Sequence, residues 1–131
     1  MIWQRQNDGK PGEEASTAVG TIFTEEELAH CRKKGLHAYE SMAALWAVRE
    51  AAGKALGIGF FRSGWQDAYV SWSEYGAPIL HLKGNFKKAD ELGITDMAVS
   101  ITHEDGIAAA VVIMTGGTMK LLNRDEARNW I

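Results

Sequence analysis

The segment from His37 to Leu56 constrains the fold more than any other part of this chain. Met42, Leu45, Trp46, Ala52, Ala55 and Leu56 recur at three- and four-residue spacings with alanines between them, the pattern of a helix with one apolar stripe. Gly57-Ile58-Gly59 then stops it, because two glycines in three residues do not sustain helix geometry cheaply. The spacing therefore predicts one long central helix, on which the flanking segments must pack.

Those flanking segments change period. Before the helix, Thr24-Glu25-Glu26-Glu27 followed by Leu28 has the capping-box spacing, with Phe23 placed to staple against Leu28. The three glutamates suit the positive end of the helix dipole, and the helix is expected to run to about Lys34, before Gly35. After the central helix, Ala68, Val70 and Trp72 alternate with Tyr69, Ser71 and Ser73, which predicts a half-buried strand. Glu74 to Pro78 reads as a turn, Ile79 to Leu82 as a second strand and Phe86 to Leu92 as a short helix. Met97, Val99 and Ile101 alternate again. Beyond the tight turn His103-Glu104-Asp105-Gly106, the unbroken apolar run Ile107 to Met114 is expected to be a strand buried on both faces.

The fold class expected is α+β, a small antiparallel sheet packed against the long central helix. Residues 1–20, rich in turn formers around Asn7 to Gly12, are expected to be a polar arm, 21–115 the domain, and 116–131 an extension with a possible short helix at Arg124 to Trp130. At 131 residues and 46% hydrophobic content one core suffices. A net charge of −3 excludes a whole-protein positive field for nucleic acid or an anionic membrane. The N-terminus lacks the apolar core of a secretory signal, and no run nears the ~18 apolar residues of a membrane span, so the expected location is the cytoplasm. The lone Cys31 excludes an intrachain disulfide and reads as a packed apolar residue.

Three clusters carry chemistry. Glu50 and Lys54 lie four apart on the central helix, one turn from each other, and by themselves read as a solvated ion pair. His103 closes a strand, where loops commonly build sites, although a lone histidine there is more often a turn residue. Arg32-Lys33-Lys34 is a local basic patch that the helix dipole alone would favour.

The order of these segments resembles the holo-acyl-carrier-protein synthase family of phosphopantetheinyl transferases. Ile22-Phe23-Thr24-Glu25-Glu26-Glu27-Leu28 is similar to that family's first helix opening, and Trp46 to Gly59 to its aromatic-alanine-x-lysine-glutamate-alanine helix with a lysine-alanine-leucine-glycine-x-glycine end. Val99-Ser100-Ile101-Thr102-His103 with Ala108 to Val112 is similar to its valine-serine-isoleucine-serine/threonine-histidine hairpin. The resemblance implies transfer of 4′-phosphopantetheine from coenzyme A to a serine of an acyl carrier protein in fatty acid biosynthesis, by a homotrimer with sites between subunits. It implies Glu50 as the Mg²⁺ ligand, Lys54 against the reacting phosphate, His103 near the 3′-phosphate end of coenzyme A, and the Gly57 and Gly59 turn as a place for backbone N–H groups to approach phosphate. Such chemistry needs a hard cation and a positive group where negative charge develops.

Two departures accompany the resemblance. Arg49 stands where the family has lysine. The family also opens with a glycine-isoleucine-aspartate-isoleucine strand whose aspartate is a second metal ligand. Met1 to Gly20 contains no such strand, and neither Asp8 nor Glu13 nor Glu14 aligns with it. The alternative that this leaves open is a non-catalytic or partner-dependent relative that binds coenzyme A or the carrier protein.

Overall fold

A computed structural model describes residues 19–58 and 64–116. Residues 19–22 are already helical, so the expected polar arm does not reach residue 20. The next helix, α1 (Glu25–Arg32), opens on the expected capping box: Thr24 Oγ1 accepts the Glu27 N–H at 3.2 Å and Glu27 Oε1 accepts the Thr24 N–H at 2.8 Å. Phe23 and Leu28 are both buried in the core. The helix stops two residues short of Lys34, with Lys33 as its C-cap, and Gly35 at φ +57° leads into a single 3₁₀ turn, Gly35–His37. The central helix α2 (Ala38–Leu56) then runs unbroken to Gly57, whose φ of +72° makes a left-handed C-cap that a Cβ would strain.

The sheet is two antiparallel hairpins rather than one layer. In the first, β1 (Ala68–Trp72) pairs with β2 (Pro78–Leu82), with Ala68 opposite Leu82 and Trp72 opposite Pro78. A 3₁₀ turn, Gly84–Lys87, and a one-turn helix, α3 (Lys88–Glu91), follow, held down by buried Phe86 and Ala89. In the second hairpin, β3 (Ile94–Glu104) pairs with β4 (Ile107–Gly116) through the turn at Asp105-Gly106, and the register slips once between Ile94 and Asp96.

The core joins Leu28 and Cys31 of α1, Met42, Leu45, Val48, Ala52 and Leu56 of α2, and Ala68, Val70 and Leu80 of the first hairpin. Val99, Ile101, Ala110, Val112 and Met114 of the second hairpin pack against it from one side only. Here the expectation for Ile107 to Met114 is corrected. Burial alternates along β4, and Ile107, Val111 and Ile113 are 71%, 58% and 57% exposed. A two-stranded ribbon has two faces; α2 covers one, and no described residue of the chain covers the other. An apolar run thus marked a strand correctly but said nothing about who buries its outer face.

One polar node sits inside this core. Arg49 and Glu27 are both fully buried and paired through both carboxylate oxygens, Nη2 to Oε1 at 2.6 Å and Nη1 to Oε2 at 2.9 Å. Arg49 also donates to the carbonyls of Trp65, Ile22 and Leu45 and lies over the Phe23 ring, while Glu27 Oε2 accepts the Val70 N–H at 3.1 Å. With its hydrogen bonds distributed this way, the buried pair leaves little unsatisfied and ties α1, α2 and β1 to one point. None of the described helices is long and apolar enough to cross a membrane. The expected arm up to residue 18, Gly59, and the expected helix at Arg124 to Trp130 lie outside the described residues.

Candidate functional site

The helix α2 presents two separate polar stations. Toward its C-terminal half both Glu50 and Lys54 are exposed. They do not form the ion pair that their spacing suggested: Glu50 instead accepts a hydrogen bond from the Trp46 indole nitrogen, one turn earlier on the same face. Trp46 stacks on Trp65, with ring centroids 5.5 Å apart, so the carboxylate stands beside a rigid aromatic wall. Among the described residues Lys54 makes no ion pair, and its ammonium is available to an anion. Gly57 lies at the end of this face, but its N–H is already bonded to the Lys54 carbonyl at 3.1 Å. Gly57 is thus the C-cap of α2.

The second station lies by the first turns of α2. His103, near the end of β3, is 30% exposed and places Nδ1 2.8 Å from Oε1 of Glu40. That hydrogen bond, more than the smaller help from the Gly106 backbone N–H, holds the Glu40 carboxyl below the usual carboxylate range. Around His103 is a cleft of about 160 Å³, shared by Lys34 and His30 from the end of α1, Ser41 on α2, and Trp72 at the end of β1. His30 lies flat on Trp72, centroids 3.6 Å apart, and burial followed by repulsion from Lys34 and Lys33 pushes its pKa down. Glu40 and Glu50 are ten positions apart on α2, which sets them about 15 Å apart along the axis and about 80° apart around it. A single chain therefore brings Glu50 and Lys54 together and holds His103 away from both.

Among the described residues no three histidine, cysteine, aspartate or glutamate side chains cluster as a metal site. Glu50 is a single exposed carboxylate on this face of α2, which suits Mg²⁺ taken up with ligand phosphates and waters rather than a site closed by the protein. Cys31 is buried and its thiol is pushed up to about 11 by burial and by Glu27, so it is packing and not a nucleophile.

Comparison with known proteins decides the family. Residues 4–112 match the model of the 4′-phosphopantetheinyl transferase superfamily. The holo-[acyl-carrier-protein] synthase of Caldanaerobacter subterraneus subsp. tengcongensis is 38% identical over 97 residues, spanning 73% of this chain and 76% of that one. The chain belongs to this superfamily. Another relative, the holo-[acyl-carrier-protein] synthase of Moorella thermoacetica, is 39% identical over 98 residues, spanning 73% of this chain and 75% of its own length. The crystal structure of Helicobacter pylori holo-[acyl-carrier-protein] synthase in complex with coenzyme A matches 80% of this chain and 87% of that one at a TM-score of 0.66 and 27% identity. The α+β architecture expected from the sequence is thus the architecture of this transferase family.

The residues that sequence reasoning missed are instructive. Glu40 meets His103 across 63 positions, and no local pattern announces such a pair. Ser41 was silent for the same reason. Arg49 left a signal: it falls on the stripe Leu45, Ala52, Leu56 at helical spacing, so its burial was readable although its partner Glu27 was not.

Proposed function

We propose that this transferase moves 4′-phosphopantetheine from coenzyme A to a serine of an acyl carrier protein in the cytoplasm, leaving adenosine 3′,5′-bisphosphate. The observation that carries the reading is the exposed Glu50–Lys54 face beside the Trp46–Trp65 stack, on the helix that the family resemblance marks as reactive. Glu50 would hold Mg²⁺, which supplies charge neutralisation at the pyrophosphate and the leaving phosphate. Lys54 brings a point charge to the phosphoryl oxygens as negative charge builds there. Glu50, fixed by the Trp46 indole, also stands as an acceptor for the proton of the incoming serine hydroxyl. His103 binds coenzyme A at its 3′-phosphate end.

The same geometry supports a homotrimer with sites between subunits. Within one chain His103 lies by the first turns of α2 and Glu50 near its end, which suits sites shared between copies, and the apolar outer face of the β3–β4 ribbon gives a second copy a surface to cover. Arg32, Lys33 and Lys34 are exposed at the end of α1 beside fully exposed Leu36, a basic surface with one apolar knob that suits an acidic carrier protein. A second reading, a relative that binds coenzyme A without turning it over, is supported by the lack of a glycine-isoleucine-aspartate-isoleucine sequence in residues 1–20.

Glu50→Gln separates the two. Stability should move by about 0.5 kcal/mol or less, since Glu50 is exposed. In an enzyme, magnesium-dependent coenzyme A binding and phosphopantetheine mass gain on apo carrier protein should both collapse. Metal-independent binding curves that coincide for wild type and variant would remove Glu50 from the chemistry.

A further inference from the structure

The cleft around His103 has one lining side chain, and His103 itself one partner, that neither the family resemblance nor the reaction accounts for. Ser41 is 5% exposed, and its buried Oγ has no hydrogen-bond partner although it lines the cleft. A buried hydroxyl left unpaired costs on the order of 1–3 kcal/mol, so the orphan Oγ of a residue that lines the cleft points to a polar group that reaches it. Glu40 is the other. Its carboxylate accepts from His103 Nδ1, which places a proton on Nδ1 and fixes the plane of the ring. Nε2 is then the ring atom left for a ligand, and it donates to a phosphate oxygen when the ring carries its second proton beside the Glu40 carboxylate. Lys34 adds positive charge to the cleft, Trp72 with His30 stacked on it makes a flat wall, and Pro78 and Ile101 complete an apolar side. Positive charge, an unpaired hydroxyl and a flat aromatic wall together suit a phosphate carried on a nucleoside.

We infer that Glu40 is a positioning residue that orients His103 Nε2 toward the 3′-phosphate of coenzyme A, and that Ser41 Oγ is the second contact to that phosphate. The inference rests on the reading that His103 meets coenzyme A, and it adds which groups make the cleft discriminate coenzyme A from its 3′-dephospho form. A carboxylate with a merely structural role would show its loss in stability and in the binding of both ligands alike. A positioning role shows in one ligand and in the tautomer of one ring.

Calorimetric titration of wild type, His103→Ala, Glu40→Leu, Glu40→Gln and Ser41→Ala with coenzyme A and with 3′-dephospho-coenzyme A tests this. Alongside it, ¹⁵N NMR of His103, at a pH where the ring is neutral, reads the tautomer. The wild type should show the Nδ1–H tautomer and bind coenzyme A more tightly than the dephospho form. Glu40→Leu should let the neutral ring shift toward Nε2–H in the free protein and, with no carboxylate left to orient and balance the doubly protonated ring on the phosphate, lose roughly tenfold in coenzyme A affinity, with the dephospho form little changed. Glu40→Gln, whose amide oxygen still accepts from Nδ1–H, should recover most of that loss. Ser41→Ala should cost roughly three- to tenfold, again for coenzyme A alone. A wild-type ring in the Nε2–H form overturns the inference without any variant. If His103→Ala weakens coenzyme A binding while Glu40→Leu does not, positioning fails and the His103 reading stands. Unchanged affinity in His103→Ala overturns both.

Discussion

The two hairpins of this molecule contrast in how completely the chain finishes them. The first, β1–β2, closes onto α1 and α2 with Ala68, Val70 and Leu80 buried, and its β1 backbone is pinned by Glu27 of the buried Arg49 pair. The second, β3–β4, is longer and more apolar, yet half of that apolar surface faces outward at Val111, Ile113 and Ile107. Charge is buried where the chain is self-sufficient, and hydrophobic surface is open where it is not. The inversion is intelligible if the first region is an interior and the second an interface, because a buried ion pair needs its partners within reach while an apolar face only needs some apolar cover.

The sharpest way to break this contrast is to attack the closed region. Arg49→Met leaves Glu27 buried without its cation, and unfolding free energy should fall by about 3–5 kcal/mol in urea titrations. Arg49→Lys keeps the charge but loses the fork, and should fall between that variant and wild type. A loss under about 1 kcal/mol for Arg49→Met would mean that water reaches the node and that the region is less closed than described.

A smaller effect should come from Cys31 in the same interior. Its thiol is raised from 9.0 to about 11 by burial first and Glu27 second. For a raised pKa, the contribution to stability is complete below the unfolded value and is lost as pH climbs through the folded one, since the unfolded thiol ionises first. Between pH 8 and about pH 10.5 the wild type should therefore lose roughly 2 kcal/mol more than Cys31→Val. Parallel stability curves for the two proteins would show that the thiol is not shielded.

The smallest stability effect is expected where the chain is open. Val111→Asp should change the unfolding free energy of an isolated chain by about 0.5 kcal/mol or less, because Val111 is already 58% exposed. Its consequence is for assembly: sedimentation should find a trimer for wild type and a monomer for the variant. A wild type that is already monomeric would sink the proposed trimer and leave the ribbon's outer face unexplained.

How much of this was readable beforehand follows from the range of each interaction. The capping box, the α2 stripe, the Gly57 stop and both hairpins depend on neighbours a few residues away, and the sequence displays them. The end of α1 was misplaced by two residues, as helix termini often are. Covering of β4 was misjudged because an apolar run records the wish for cover and not its source. In the candidate sites, Glu50 and Lys54 were visible as a helical pair, whereas the Trp46 hydrogen bond that displaced the pairing depends on a rotamer. Glu40 with His103, and Glu27 with Arg49, join elements distant in sequence, which one sequence without its fold does not reveal.

Glu27 also sets an order of events. Its bond to Thr24 is local and can form as soon as the first turn of α1 does, while its bonds to Arg49 and to the Val70 amide span 22 and 43 positions and must wait for the chain to close on itself. The same carboxylate is thus first a nucleator and then a clasp. Once clasped, the Thr24 and Val70 amide protons share an acceptor residue, and they reach solvent through one concerted opening of α1, α2 and β1.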